Sequence, residues 1–115
     1  MTRREEYNLI FLRKIIEGEE IFSCTKIGQV DEYSYLQFLS FLNLNETIDL
    51  INELEFIENS EPFDEFPSSD GYSHFKIQLS NTDFSIGDHN GPLPLTIPIA
   101  DIKQLLLEWK TFIEG

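Results

Sequence analysis

Tyr7-Asn-Leu-Ile-Phe-Leu-Arg-Lys-Ile-Ile-Glu-Gly18 is the stretch on which the fold turns, because it fits two periods at once. Tyr7, Ile10, Phe11 and Ile15 recur at helical spacing. Thr2 stands upstream as an N-cap with Glu5 three residues later, the spacing of a capping box, and Gly18 is a stop signal. This favours a helix running from Thr2 towards Gly18. The alternative is a strand over Asn8 to Ile16, since Leu9, Ile10, Phe11 and Leu12 form a continuous apolar run.

The segments that follow are read relative to that choice. Glu20 to Ile27 is either a short strand or a loop that drops Phe22 into the core. Asp31 is the next N-cap, and Tyr33 to Leu42 is apolar on almost every side. A helix of that kind is either central or half-covered by a partner, so the run leaves the oligomeric state open. Asn43 to Asn45 breaks it. A further helix begins near Asn45 as N-cap, with Glu46 in its first turn. Leu50, Ile51, Leu54 and Ile57 share one arc of that helix, and Glu46, Asp49 and Glu53 share the adjoining arc.

Glu58 to Asp70 reads E-N-S-E-P-F-D-E-F-P-S-S-D, with acids, prolines and no basic residue. Helix cannot continue past Pro62, so the segment is a loop, with Phe63 and Phe66 among carboxylates. Tyr72 to Leu79 alternates as a half-buried strand does. Ser80-Asn81 is a turn, Thr82 to Ile86 a second strand, and Gly87 to Gly91 a loop. Leu93 to Ile99 is a third strand, which Pro94 and Pro98 push to a sheet edge. Ile102, Leu105, Leu106, Trp109, Phe112 and Ile113 then form one stripe of a C-terminal amphipathic helix. The expected fold is a single α+β domain over 1–115, with a helical N-terminal half. A small antiparallel sheet of about three strands follows, and the last helix packs on it.

Charge decides what such a domain suits. The net charge is −13, distributed as about +2 over residues 1–16, −13 over 17–70 and −2 over 71–115. A field this one-sided repels nucleic acid and anionic membrane and speeds encounter with a basic partner. Hydrophobic residues make up 41% of the chain, too many for a disordered acidic tail. No run reaches membrane-spanning length. Glu5 and Glu6 follow the N-terminal arginines at once, unlike a signal peptide. The single cysteine, Cys24, excludes an intramolecular disulfide and reads as a small buried hydrophobe, in keeping with a reducing cytoplasm.

No pattern for chemistry is present. Phosphate-cradling glycine loops and the nucleophile elbow are missing. Asp88, His89 and His74 form a conceivable divalent-metal set, but their spacing matches no ligand pattern. The expectation is a non-catalytic protein without cofactor or metal. Partner contacts are assigned to Glu46, Asp49, Glu53, Glu55, Glu58, Glu61, Asp64, Glu65 and Asp70, with Phe63 and Phe66 as aromatic anchors inside an acidic rim.

The segment T-I-P-I-A-D-I-K-Q-L-L-L-E-W-K-T-F-I (residues 96–113) has an extended stretch, an acid, then a leucine-rich helix with E-W and a closing aromatic. It resembles the C-termini of bacterial immunity proteins of contact-dependent growth inhibition and related polymorphic toxins. The resemblance implies a cytoplasmic protein that binds a cognate basic toxin, typically a nuclease domain, at or beside its active site. An acidic adaptor or DNA mimic that blocks a host nucleic-acid-binding protein is the second reading. A small metal-dependent enzyme centred on His89 is the third.

Overall fold

The computed structural model describes residues 2–59, 69–72, 75–80, 82–88 and 92–114, with 69–72 and 75 as backbone only. Its N-terminal half corrects the helical expectation. Thr2 does cap a helix, and the capping box with Glu5 forms, but that helix (α1, Arg3–Glu6) lasts a single turn. Asn8 then takes φ +58, a left-handed conformation that asparagine tolerates better than most residues. The chain leaves it as strand β1 (Leu9–Ile16), which pairs antiparallel with β2 (Glu19–Lys26).

Period two prevails here for two reasons. Ile10, Ile15 and Ile16 are β-branched, which suits a pleated strand better than a helix. The two residues between the strands, Glu17 (φ +51) and Gly18 (φ +83), both lie in the left-handed region. That is the type I′ geometry whose twist matches a hairpin. Gly18 therefore turns a hairpin rather than ending a helix. In this register Leu9 faces Lys26 and Phe11 faces Cys24 on the core side, while Ile10 faces Thr25 and Leu12 faces Ser23 on the outer side. The segment from Glu20 to Ile27 is thus mostly strand, and its Phe22 still reaches the core, edge-on to Phe112 at 5.7 Å.

Asp31 caps the next element as the sequence implies, but that element is a 3₁₀ helix (Glu32–Phe41). It is central: Leu36, Phe38 and Leu39 are fully buried. It also closes the outer edge of β2. Ser40 Oγ accepts from the Cys24 N–H at 2.7 Å and donates to the Cys24 carbonyl at 3.2 Å, and Gln37 Oε1 accepts from the Lys26 N–H at 2.7 Å. Side chains thereby replace the missing neighbour strand.

Helix α2 (Leu44–Glu58) buries Thr47, Leu50, Ile51, Leu54 and Ile57. The C-terminal half keeps the expected antiparallel sheet and helix but corrects the strand count: Ser69 and Asp70, read as loop, and Tyr72, read as the start of one long strand, form a separate strand, so the sheet has four strands rather than about three. Strands β3 (Ser69–Tyr72), β4 (Phe75–Leu79), β5 (Asp83–Asp88) and β6 (Leu95–Pro98) form an antiparallel sheet in the order β3-β4-β5-β6. Ile77, Ile86 and Leu95 lie in register across its core face. The proline-flanked β6 is an edge strand. Helix α3 (Ile99–Glu114) follows β6 directly and buries Ile99, Ile102, Leu105, Leu106 and Trp109. It lies mainly along α2 rather than on the sheet as expected, because its apolar stripe meets that of α2, and it reaches the sheet only through β5 and β6. The architecture is therefore α+β with two small antiparallel sheets and a C-terminal helix, and the N-terminal half is mainly strand.

No helix among the described residues is long and apolar enough to cross a membrane.

A Cβ added at Gly18 meets nothing within 4 Å, so its substitution tests backbone conformation alone. Gly18→Ala is expected to lower unfolding free energy by about 1 kcal/mol. Glu17→Asn is expected to raise it by a few tenths of a kcal/mol, since asparagine accepts φ > 0 more readily. Urea unfolding of the two variants checks both signs.

Candidate protein-binding surface

Helix α2 carries most of the described acidic candidates, and its start decides what each can do. Asn43, not Asn45, is the N-cap. Its Oδ1 accepts from the Glu46 N–H at 2.8 Å, and Glu46 Oε1 accepts from the Asn43 N–H at 3.1 Å. Moving the cap two residues upstream places Glu46 at the third helical position, where its carboxylate serves the helix end. Further along, Lys103 of α3 reaches Glu58 at 2.9 Å and Glu55 at 3.9 Å. The hydrogen bond to Glu58 raises the pKa of Lys103. These pairs are exposed and add little stability, but they partly neutralise Glu55 and Glu58.

Asp49 and Glu53 differ. Both are exposed, one helical turn apart, and neither has an ion pair or hydrogen bond among the described residues. Phe56 stands three residues after Glu53 with 68% of its surface exposed. The outward face of α2 thus joins two uncompensated carboxylates to an aromatic ring. Phe56 was legible as an anchor, because it falls opposite the arc of Leu50, Ile51, Leu54 and Ile57. The sequence reading assigned that role to Phe63 and Phe66 instead. Glu61, Phe63, Asp64, Glu65 and Phe66 lie outside the described residues. Asp70 lies in β3, where only the backbone is described.

The Glu46 end of this face opens into a groove of about 500 Å³ between β2, the start of α2 and the end of α3. Ile21, Phe41 and Leu44 line it with partly exposed apolar surface, Trp109 and Ile113 also contribute, and Glu20 and Glu46 bring carboxylates. An apolar trough with an acidic border suits an apolar side chain flanked by cations.

Elsewhere, many of the chain's own cations are matched with acids. Arg3 pairs with Glu6 and, through Nε at 3.0 Å, with Asp101. Arg13 pairs with Glu20 at 2.9 Å and Lys26 with Asp31 at 3.7 Å. Glu108 accepts from the backbone N–H groups of Arg3 and Arg4, which anchors α1 on α3. The negative field left over is therefore strongest where no cation answers, and Asp49 and Glu53 are such a place.

Burial shifts two further groups, Cys24 and Tyr7. Burial pushes the Cys24 thiol up to about 12, and its Sγ lies 3.7 Å from the Leu36 carbonyl. Burial, then the hydrogen bond from its hydroxyl to Asp101 at 2.6 Å, raises Tyr7. Asp88 accepts from the Tyr35 hydroxyl at 3.0 Å. Its suggested metal partners His74 and His89 lie outside the described residues. Among the described residues no three His, Cys, Asp or Glu side chains are grouped to hold a metal ion.

No protein-family model, curated protein or solved structure matches this chain.

The Cys24 shift has a defined sign. A folded-state pKa above the unfolded value near 9 means that its contribution is fully present below pH 9 and is lost as pH rises towards 12. Urea midpoints measured from pH 8 to pH 11 are expected to fall with pH. Folded protein at pH 8 is expected to leave a thiol reagent unconsumed until denaturant is added.

Proposed function

We propose that this chain is a non-catalytic inhibitor, an immunity protein that binds and neutralises a basic protein toxin, with a nuclease domain as the partner class and the cytoplasm as its place of action. The observation that carries this reading is the outward face of α2, where Asp49 and Glu53 stand uncompensated beside exposed Phe56 in a chain of net charge −13. The physical logic is two-stage. Long-range attraction steers a cationic partner onto the acidic side and raises the association rate. Short-range burial of an aromatic ring inside a charged rim slows dissociation. A nuclease carries clustered lysines and arginines because it must hold phosphate, and carboxylates spaced along a helix engage the same side chains. The resemblance of residues 96–113 to immunity-protein C-termini supports the same class.

The test is capture from the native host's lysate with tagged full-length chain at low salt. The expected result is one stoichiometric basic protein, released at high salt. Against that isolated partner, Asp49→Lys with Glu53→Lys is expected to slow association by about tenfold and to flatten its salt dependence. The pair Asp64→Lys and Glu65→Lys examines the 58–70 segment in the same way. Unchanged kinetics in both double variants would remove both acidic segments from the interface. Capture of a host nucleic-acid-binding protein without toxic activity would favour a DNA-mimic role instead.

A further inference from the structure

The β1–β2 hairpin presents a strand edge that nothing in the described fold covers. Ile27 N–H donates to the Asn8 carbonyl at 2.7 Å, and the N–H groups of Cys24 and Lys26 point away to Ser40 and Gln37. Because antiparallel pairing alternates, the even-numbered residues of β1 bond to β2. The N–H and C=O groups of Phe11, Arg13 and Ile15 therefore face outward. No described strand pairs with that side, and no described group hydrogen-bonds there. A groove of about 470 Å³ runs alongside, lined by Arg4, Asn8, Leu9, Ile10, Phe11 and Phe112 among others.

The hairpin is also apolar where it leaves the core. Ile10, Leu12, Ile16 and Ile21 share its outer face and are all exposed, and Ile15, at 66%, is exposed on the other. A two-stranded ribbon gains little stability from its own contacts. An open, apolar edge is the surface that native proteins normally pair or cover.

Charge selects the occupant. Of the cations along this edge, Arg3 is paired with Glu6 and Asp101 and Arg13 with Glu20, which leaves Arg4 at the root and Lys14 without an ion pair among the described residues. These two free cations make the edge locally less favourable to a basic partner than the acidic face of α2. A second copy of this chain shares the net charge of −13, but locally its hairpin tip brings Glu17 and Glu19, which have no ion pair among the described residues, to those free cations.

We infer that two copies associate through β1, antiparallel about a two-fold axis at Leu12, to make one four-stranded sheet in the order β2-β1-β1-β2. In that register Phe11 of one copy exchanges hydrogen bonds with Arg13 of the second copy, Leu12 meets Leu12, and Lys14 lies opposite Ile10, so like charges do not face each other. Each acidic tip then lies beside the root of the other β1, where Arg4 sits over Phe11 at 5.0 Å. The interface is isologous, as a closed dimer requires, and it leaves Asp49, Glu53 and Phe56 outside it.

Sedimentation of the full chain over a wide concentration range tests this. The expected result is a monomer–dimer equilibrium. Arg13→Pro removes an N–H with no partner among the described residues, so the variant retains its hairpin while its dimer weakens about 30-fold, one bond being lost at each of two symmetric sites. Circular dichroism checks that this variant is folded. If it is not, Leu12→Asp, which opposes two carboxylates at the axis, decides the matter by the same loss of dimer. Hydrogen exchange supplies an independent readout: the amides of Phe11, Arg13 and Ile15 are expected to slow as the dimer forms. A monomer at every concentration overturns the inference, as does a dimer indifferent to both substitutions. Protection of those amides only when the basic partner is added assigns the edge to that partner and also overturns it. None of these outcomes bears on the capture experiment, which reads the opposite charge on α2.

Discussion

Trp109 is the side chain on which the arrangement of the other elements depends. It is fully buried on α3, and its indole N–H donates to the Leu42 carbonyl at 3.2 Å. That carbonyl lies at the junction between the 3₁₀ helix and α2, so one hydrogen bond satisfies a buried donor and sets where the chain turns. The ring meets Phe11 of β1 edge-on at 5.0 Å, and Phe112 stacks beside it. The hairpin, the 3₁₀ helix and both long helices are thus referred to one aromatic cluster. The sheet joins through Phe38, which stacks on Phe84 of β5 at 5.7 Å.

This packing also sorts the charges. Asp101 and Glu108 lie on α3 seven residues apart, where they hold Arg3, Tyr7 and the first N–H groups of α1. Those acids, together with Glu20 and Asp31, are engaged in holding the fold. Glu46 is engaged in the cap of α2, and Glu55 and Glu58 share Lys103. An undifferentiated count of acids therefore overstates the number free to attract a partner. Asp49 and Glu53 emerge as the uncompensated described pair on α2, and their weight comes from what the rest of the fold has neutralised. The hairpin meets this acidic side through β2, where Glu20, Ile21 and Phe22 line the groove beside Glu46, while no β1 residue lines that groove. Its root is held by Leu9 and Phe11 in the core, and its tip projects with isoleucines on both faces. The molecule accordingly has two surfaces of different character, one acidic with an aromatic ring and one apolar with an open backbone edge.

Local signals were legible wherever a short-range contact produces them. The Thr2–Glu5 capping box, the cap at Asp31, the strand alternation around Ile77 and Ile86, the edge position of the proline-flanked β6 and the stripe through Trp109 all follow from neighbours a few residues apart. The hairpin was not legible for the same reason. Tyr7, Phe11 and Ile15 satisfy a helical period as well as Leu9 and Phe11 satisfy a strand period. Glu17-Gly18 also lacks the asparagine or aspartate that normally announces a type I′ turn. The α2 cap was misplaced because Asn43 and Asn45 are equally good caps, and only the reach of Glu46 back to Asn43 distinguishes them. Phe56 is overshadowed in the sequence by Phe63 and Phe66, which stand among more carboxylates.

The sequence by itself determined the acidic character of the middle of the chain, the amphipathic C-terminal helix, the edge strand before it and the burial of Cys24. Composition and short-range periodicity are properties that a chain carries into any fold. The tertiary structure tipped residues 9–16 to strand, where local signals compete: helical spacing against β-branched isoleucines and a left-handed Glu17-Gly18 turn. That choice depends on Phe11 finding Trp109 and Phe112, and on Ser40 and Gln37 closing the far edge of β2. The tertiary structure likewise decided which carboxylates are free, because pairing across the fold, as between Lys103 and Glu58, brings together residues with no proximity in the chain. Electrostatic compensation and aromatic packing are both long-range in sequence, and no local pattern encodes them.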